Sequence, residues 1–394
     1  MMRFNISNNL KRLPSYLFLE IDRAKREARR KGKDIIDFGI GDPDQPTPSH
    51  IIDALSRAAR DPACHRYALD QGMPSLREAV ASWYKRRFKV RLDPETEILP
   101  LIGSKEGIAH LPLAVINPGN YSLVPDPGYP PYKGGTILAG GRVYSLALLE
   151  KNNFLPELDS IPVKILRKSR LLYINYPNNP TAAIANKTFY QKVVNFAKRN
   201  NIIVISDLAY SEICFDGYKA NSFLEVEGAK SVGIEFHSFS KTYNMTGWRI
   251  GWVCGNKNLI AAVAKVKSNI DSGLFSAIQI AGIAALGGPQ SHIKRICQLY
   301  QERRDILVSG LNSLGWNVRK PKATFYVWAK IPEYYVATSR RLDSILFAER
   351  LLKKTGIVVT PGIGLGKYGE GYMRFALTVD KKRIKEAVKR LSQW

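Results

Sequence analysis

Short apolar runs alternate with longer amphipathic stretches through most of the chain, as expected for buried parallel strands joined by helices. The runs at 98–102, 121–126, 142–147, 171–176, 202–207, 232–237 and 249–254 read as strands, after a short one at 35–38. Helical spacing marks 15–31, with Gly32 as its C-cap, then 51–59, 75–88, a stretch opening near Ser104, and 187–199. Thr47 or Ser49 is placed to cap the second of these helices. From about residue 291 onward the pattern is helix, short strands, helix. The fold class expected is α/β: a large unit with a mostly parallel sheet flanked by helices, plus a smaller α+β unit. Residues 47–290 are assigned to the large unit, and 1–46 with 291–394 to the small one.

In such sheets ligands bind beyond the strand C-termini. Gly103, Asn179, Asp207 and Lys241 all fall at or just after an expected strand end. The glycine-rich turn at 103–107 opens a helix, so its free N–H groups and helix dipole suit an anion. The loop at 39–48 is rich in Gly and Pro, which allows close approach of backbone N–H groups to a ligand. Ser238-Phe239-Ser240-Lys241 with the later Arg249 reads as a loop between two strands. Hydroxyls and a guanidinium suit a phosphate, and an amine beside them suits a Schiff base. Pyridoxal phosphate needs both. Any single lysine in this chain starts as a surface lysine, since Lys and Arg number 59. The other parts of the constellation are what single out Lys241.

Composition narrows the field. At 394 residues, 45% hydrophobic and 24% charged, the chain has ample core and the composition of a soluble globular protein. No apolar run is long enough for a membrane helix, and the N-terminal stretch has no signal-peptide core. Cys64, Cys214, Cys254 and Cys297 form no C-x-x-C pair and read as reduced thiols, which points to the cytoplasm. The five histidines have no metal-ligand spacing, so no metal is expected. The formal net charge is +25, with basic runs at 23–33, 85–91, 164–170 and 381–390. These runs are scattered along helix faces without a nucleic-acid motif, so they read as solvated faces and a field favouring anionic substrates.

Tyr176-Pro177-Asn178-Asn179-Pro180-Thr181, then Asp207-Leu208-Ala209-Tyr210, then Ser238-Phe239-Ser240-Lys241 and Arg249 follow in order. Together they resemble the fold-type I pyridoxal-phosphate enzymes, specifically the class I/II aminotransferases, over essentially the whole chain. The resemblance implies roles. Lys241 is the Schiff-base lysine and Asp207 the partner of the pyridine nitrogen. Tyr210 and Asn179 hydrogen-bond the phenolic oxygen, and Tyr129 stacks on the ring. Ser104, Lys105, Ser238 and Arg249 hold the phosphate. Tyr67 reaches the phosphate from the second subunit of a homodimer with shared sites. Arg374, in Tyr372-Met373-Arg374-Phe375, grips the substrate α-carboxylate bidentately. Ser240 is left outside the site as a cap. The family often places glycine where this chain has Ala182, so the turn there is expected to differ slightly.

Further stretches resemble one branch of the family, whose members use LL-diaminopimelate and 2-oxoglutarate on a lysine and cell-wall precursor route. They include Ile40-Gly41-Asp42-Pro43-Asp44, Phe236-His237-Ser238, Lys267-Ser268-Asn269 and Lys322-Ala323-Thr324-Phe325-Tyr326-Val327-Trp328. In that resemblance Gly41, Tyr16, Asp70 and Asn269 join Arg374 in substrate binding, Asp70 and Asn269 coming from the partner subunit. Asp70 stands where the branch can carry glutamate. A same-fold aminotransferase for aspartate, alanine or aromatic amino acids stays open as a rival, as do a C–S lyase and a cofactor-binding regulator.

Overall fold

Seven of the apolar runs assemble into one sheet. The computed structural model describes residues 4–14, 17–68, 70–336 and 343–394. Its strands are β1 Ile36–Asp37, β2 Ile98–Leu101, β3 Tyr121–Asp126, β4 Arg142–Ala147, β5 Ser169–Asn175 and β6 Ile203–Asp207. There follow β7 Gly233–Ser238, β8 Gly251–Gly255, β9 Tyr326–Lys330, β10 Ile357–Val358, β11 Thr360–Pro361 and β12 Tyr372–Ala376. The large sheet has the order β2-β8-β7-β6-β5-β3-β4. Strands β3 to β7 are parallel, and β8 runs against both β7 and β2.

Helices cover both faces of this sheet, which is why its strands are nearly continuous in apolar residues. Alternation along β5 shows the division. Leu172 and Ile174 pack into one buried cluster, whereas Leu171 and Tyr173 pack into another. Strand direction then sets the working edge. The C-termini of β2, β5, β6 and β7 and the N-terminus of the reversed β8 meet there. The register pairs Asn175 with Asp207, Ser238 with Gly251, and Leu101 with Gly251.

A third cluster joins the two ends of the chain. Ile36 and Phe38 pack with Tyr300, Trp316, Phe325, Phe375 and Leu391. β1 pairs in parallel with β10, and β11-β12-β9 form a small antiparallel sheet. The Ala376 amide donates to Phe38 O at 2.8 Å, so the strand that carries Arg374 lies beside the 39–48 loop.

Several local expectations change. The helix expected at 51–59 is Ser49–Ala58, and Pro48 stands at its N-cap without a side-chain cap. Thr47 instead donates its hydroxyl to Asn244 O at 2.8 Å. The expected loop holding Lys241 is a one-turn helix, Phe239–Thr242, capped by Ser238, whose hydroxyl accepts from the Ser240 amide. Ser240 is therefore not the cap. Gly32 does take the left-handed conformation (φ 74°) just after Leu17–Arg30.

Candidate active site

The working edge of the large sheet opens into a cavity of about 380 Å³. Its lining includes Gly41, Ser104, Lys105, Tyr129, Asn179, Asp207, Tyr210, Ser238, Lys241, Arg249 and Arg374. A larger cleft, about 660 Å³, lies between Glu150, Ala182, Trp316, Arg319, Trp328 and Tyr372. It contains no buried carboxylate facing a buried amine, so the chemistry points to the smaller cavity.

Asp207 ends β6 and is 5% exposed. Its Oδ2 accepts from the Tyr132 hydroxyl at 2.6 Å, while its buried Oδ1 has no hydrogen-bond partner. Burial pushes the carboxyl up to about 6, against the opposing pull of Tyr132 and the Ala209 amide. An unsatisfied buried carboxylate oxygen is costly unless something donates to it. A protonated ring nitrogen is such a donor. Asn175, opposite Asp207 in the register, ties two elements together. Its Nδ2 donates to Asp207 O at 2.8 Å and its Oδ1 accepts from the Asn179 amide at 2.8 Å.

Lys241 sits across the cavity on its one-turn helix. Its Nζ donates to Gly41 O at 2.9 Å and lies 5.6 Å from the Phe325 ring centroid. Burial lowers its pKa to about 8; Asp42 opposes this, and Arg374 and Arg249 add to it. A lysine lowered this far keeps a fraction of its amine uncharged near neutral pH, far more than an ordinary lysine does. The 39–48 loop was expected to present amides, and the contacts it makes here are through its carbonyls. Gly39 O accepts from Arg374 and from the Thr360 hydroxyl, each at 2.9 Å.

The anion end is built from the helix Ser104–Val115, whose N-cap is Gly103. Gly103 has φ 76°, and a Cβ there would lie 2.4 Å from the Arg249 guanidinium. Arg249 itself takes φ 56°. Helix N-terminus, guanidinium, Ser104 and Ser238 therefore converge on one end of the cavity. A Cβ on Gly251 would meet His237 O at 2.7 Å and the Ser104 amide at 2.8 Å, so β8 can approach the helix only with glycine there.

At the other end Arg374, 3% exposed, donates to Asn179 Oδ1 and to Gly39 O, both at 2.9 Å. The Pro177–Ala182 turn that carries Asn179 is held by Asn178, whose Oδ1 accepts from the Thr181 amide and hydroxyl. Ala182 adopts φ 57°, the conformation glycine prefers, so the alanine carries backbone strain there.

Among the described residues, three of those singled out from sequence do not meet the others in this chain. Tyr67 is 91% exposed, and Asp70 is exposed beside it. Asn269 is exposed and lines a separate cavity with Leu113 and Ile270. Tyr16 lies outside the described residues. The sequence reading also missed Asn175, Tyr132, Ser240, Thr246 and Tyr326, of which all but Tyr132 line the cavity. Asn175 and Tyr326 sat inside stretches already marked, one at a strand end and one in the 322–328 motif.

The residues present suit pyridoxal phosphate: an orphaned buried carboxylate oxygen, a buried amine, an anion cradle and an aromatic side chain, Tyr129, in one cavity. Among the described residues no group of His, Cys, Asp and Glu could hold a metal, and no helix is long and apolar enough to cross a membrane.

Comparison with known proteins agrees with this geometry. The family "Aminotransferase class I and II" matches residues 33–391. An LL-diaminopimelate aminotransferase from Moorella thermoacetica is 55% identical, covering 98% of this chain and 97% of that protein. One from Aquifex aeolicus is 52% identical, covering 98% of each. Among solved structures, substrate-bound BacF from Bacillus subtilis superposes with a TM-score of 0.93 at 39% identity, covering 100% of this chain and 98% of that one.

Proposed function

Because the chain belongs to the class I and II aminotransferases, a pyridoxal-phosphate-dependent family, we propose that it moves an amino group between LL-diaminopimelate and 2-oxoglutarate. The observation that carries the chemistry is the buried Oδ1 of Asp207 without a partner, facing the same cavity as a lysine of lowered pKa. The relatives at 50–55% identity carry the substrate assignment, since they span nearly the full chain.

When bound, pyridoxal phosphate supplies an aldehyde that takes up the amine and a ring that spreads the charge left by the departing α-proton. The chain's own residues do the rest. Lys241 Nζ would hold the cofactor at its aldehyde, and the same amine would carry the α-proton as general base and acid. Asp207 keeps the ring nitrogen protonated. Asn179 and Tyr210 would hold the ring oxygen, and Tyr129 would hold the ring. Ser104, Lys105, Ser238 and Arg249 hold the phosphate. Arg374 and Gly41 orient the α-carboxylate end. Two half-reactions at one site give ping-pong kinetics.

The substrate's distal end carries an ammonium and a carboxylate, whereas glutamate's carries only a carboxylate. Asp70 and Asn269 of a second copy, with Tyr16, are assigned to that end, and Tyr67 of the same copy to the phosphate. The exposure of Tyr67 in one chain supports a homodimer with shared sites. In this reading residues 47–290 form the cofactor-holding unit, 1–46 with 291–394 the smaller one, and the enzyme is cytoplasmic.

The test is amino transfer to 2-oxoglutarate by purified protein. LL-diaminopimelate is offered beside meso-diaminopimelate, aspartate, alanine, lysine and tyrosine. Preference for the LL isomer supports the reading. Transfer only from a common amino acid rejects the substrate and keeps the chemistry.

A further inference from the structure

Tyr326, at the start of β9, has a place in the site that the cofactor and substrate roles above do not cover. It is 3% exposed and lines the cavity. Its hydroxyl lies 3.1 Å from that of Tyr210, within hydrogen-bond distance. Its ring lies under the Arg374 guanidinium, with the guanidinium carbon 4.4 Å from the ring centroid. The hydroxyl also lies against the loop: a Cβ built on Gly41 would meet it at 2.0 Å. Tyr326 thus touches the phenol assigned to the cofactor, the arginine assigned to the substrate carboxylate, and the loop whose carbonyl holds Lys241.

Several contacts fix it there. The Tyr326 amide donates to Thr324 Oγ1 at 3.0 Å, and Thr324 takes φ 68°. Its Cα pairs with Ala376 in the β9–β12 ladder. Its ring packs edge-on against Tyr210 and Phe325, with centroids 5.6 Å and 4.9 Å away. So many partners leave the hydroxyl little freedom to turn from Tyr210.

We propose that Tyr326 is a positioning residue with two separable parts: its hydroxyl orients Tyr210 toward the cofactor ring oxygen, and its ring holds Arg374 in place for the substrate carboxylate. The proposal rests on the aminotransferase reading. A phenol that receives a hydrogen bond donates more strongly through its own O–H. With Tyr326 donating to Tyr210, Tyr210 better stabilises an ionised ring oxygen on the cofactor. A guanidinium over an aromatic face gains a cation–π contact that also fixes its plane.

Two variants separate the parts. Tyr326→Phe removes the hydroxyl and keeps the ring. In the holoenzyme without substrate, the pH midpoint of the cofactor's visible band should move upward by roughly half a unit to one unit, the scale of one hydrogen bond. Its dissociation constant for glutarate, an unreactive dicarboxylate, should stay within about twofold. Tyr326→Leu removes both parts, so the midpoint should shift similarly and glutarate should bind roughly tenfold more weakly, the scale of a desolvated cation–π contact. An unchanged midpoint in the Phe variant, or unchanged glutarate binding in the Leu variant, would overturn the assignment. A wild-type protein that binds no cofactor would overturn the aminotransferase reading and this assignment with it. A wild type that titrates identically to the Phe variant overturns this assignment alone.

Discussion

Asp207 and Lys241 set the electrostatics of the cavity from opposite sides. Asp207 is raised to about 6, above the 3.8 of an ordinary aspartate. The sign follows directly: its contribution to stability is fully present below the unfolded value and is lost as pH rises through the folded one. Cofactor-free wild type should therefore lose stability relative to Asp207→Asn between about pH 4 and pH 6, by at most about 3 kcal/mol. Thermal melting of both proteins at pH 4.5 and pH 7.5 measures this, and a difference constant with pH would contradict it. Ala182 gives a second test. Its left-handed backbone costs an alanine about 1–2 kcal/mol that glycine avoids, partly offset by glycine's extra chain entropy. Ala182→Gly should raise stability by about 0.5 kcal/mol in urea unfolding, with activity unchanged. Most of these side chains were legible because chemistry-bearing types fell at strand ends in a familiar order. Tyr326 was not, because in sequence it is one aromatic among several in Phe325-Tyr326-Val327-Trp328. Only the register of β9 against β12 reveals what it faces.

Strands were easier to read than caps. β3 lies where its apolar run placed it, since a strand buried on both faces leaves a near-continuous signal, and the half-buried edge strand β4 also keeps its expected bounds. The cap of Ser49–Ala58 was misread because the Thr47 hydroxyl is used across the fold, at Asn244, instead of along its own helix. The short helix under Lys241 was missed because one turn carries no periodicity. The glycines at the anion end make the clearest element-level prediction. A side chain on Gly103 must displace Arg249 and sits at an unfavourable φ. Gly103→Ala should weaken pyridoxal phosphate binding by about tenfold or more, comparable to one lost charge-assisted hydrogen bond. Cofactor titration by absorbance reads this out, and wild-type affinity would contradict the cradle.

For the whole molecule, the proposed site draws on two copies of the chain. Eleven of the sequence-predicted residues line one cavity, while Tyr67, Asp70 and Asn269 face outward elsewhere. Nothing in the hydrophobic pattern could place the latter three, because the reading assigns them to the site of another copy. Shared sites predict complementation. Lys241→Ala and Tyr67→Ala proteins should each be nearly inactive. After unfolding and refolding together at equal amounts, about a quarter of wild-type activity should return, because half the dimers are hybrids with one intact site. No recovery would place Tyr67 outside the partner's site. The net charge of +25 acts at this same scale, as a positive field that favours anionic small molecules and fades with added salt.

Borohydride reduction of the cofactor-loaded protein, followed by peptide mass mapping, tests the assignment of Lys241 most directly. One modified peptide is expected, carrying the reduced pyridoxal phosphate on Lys241, and Lys241→Ala protein should carry none. An unmodified Lys241, or the label on another lysine, would contradict the mechanism built on this cavity.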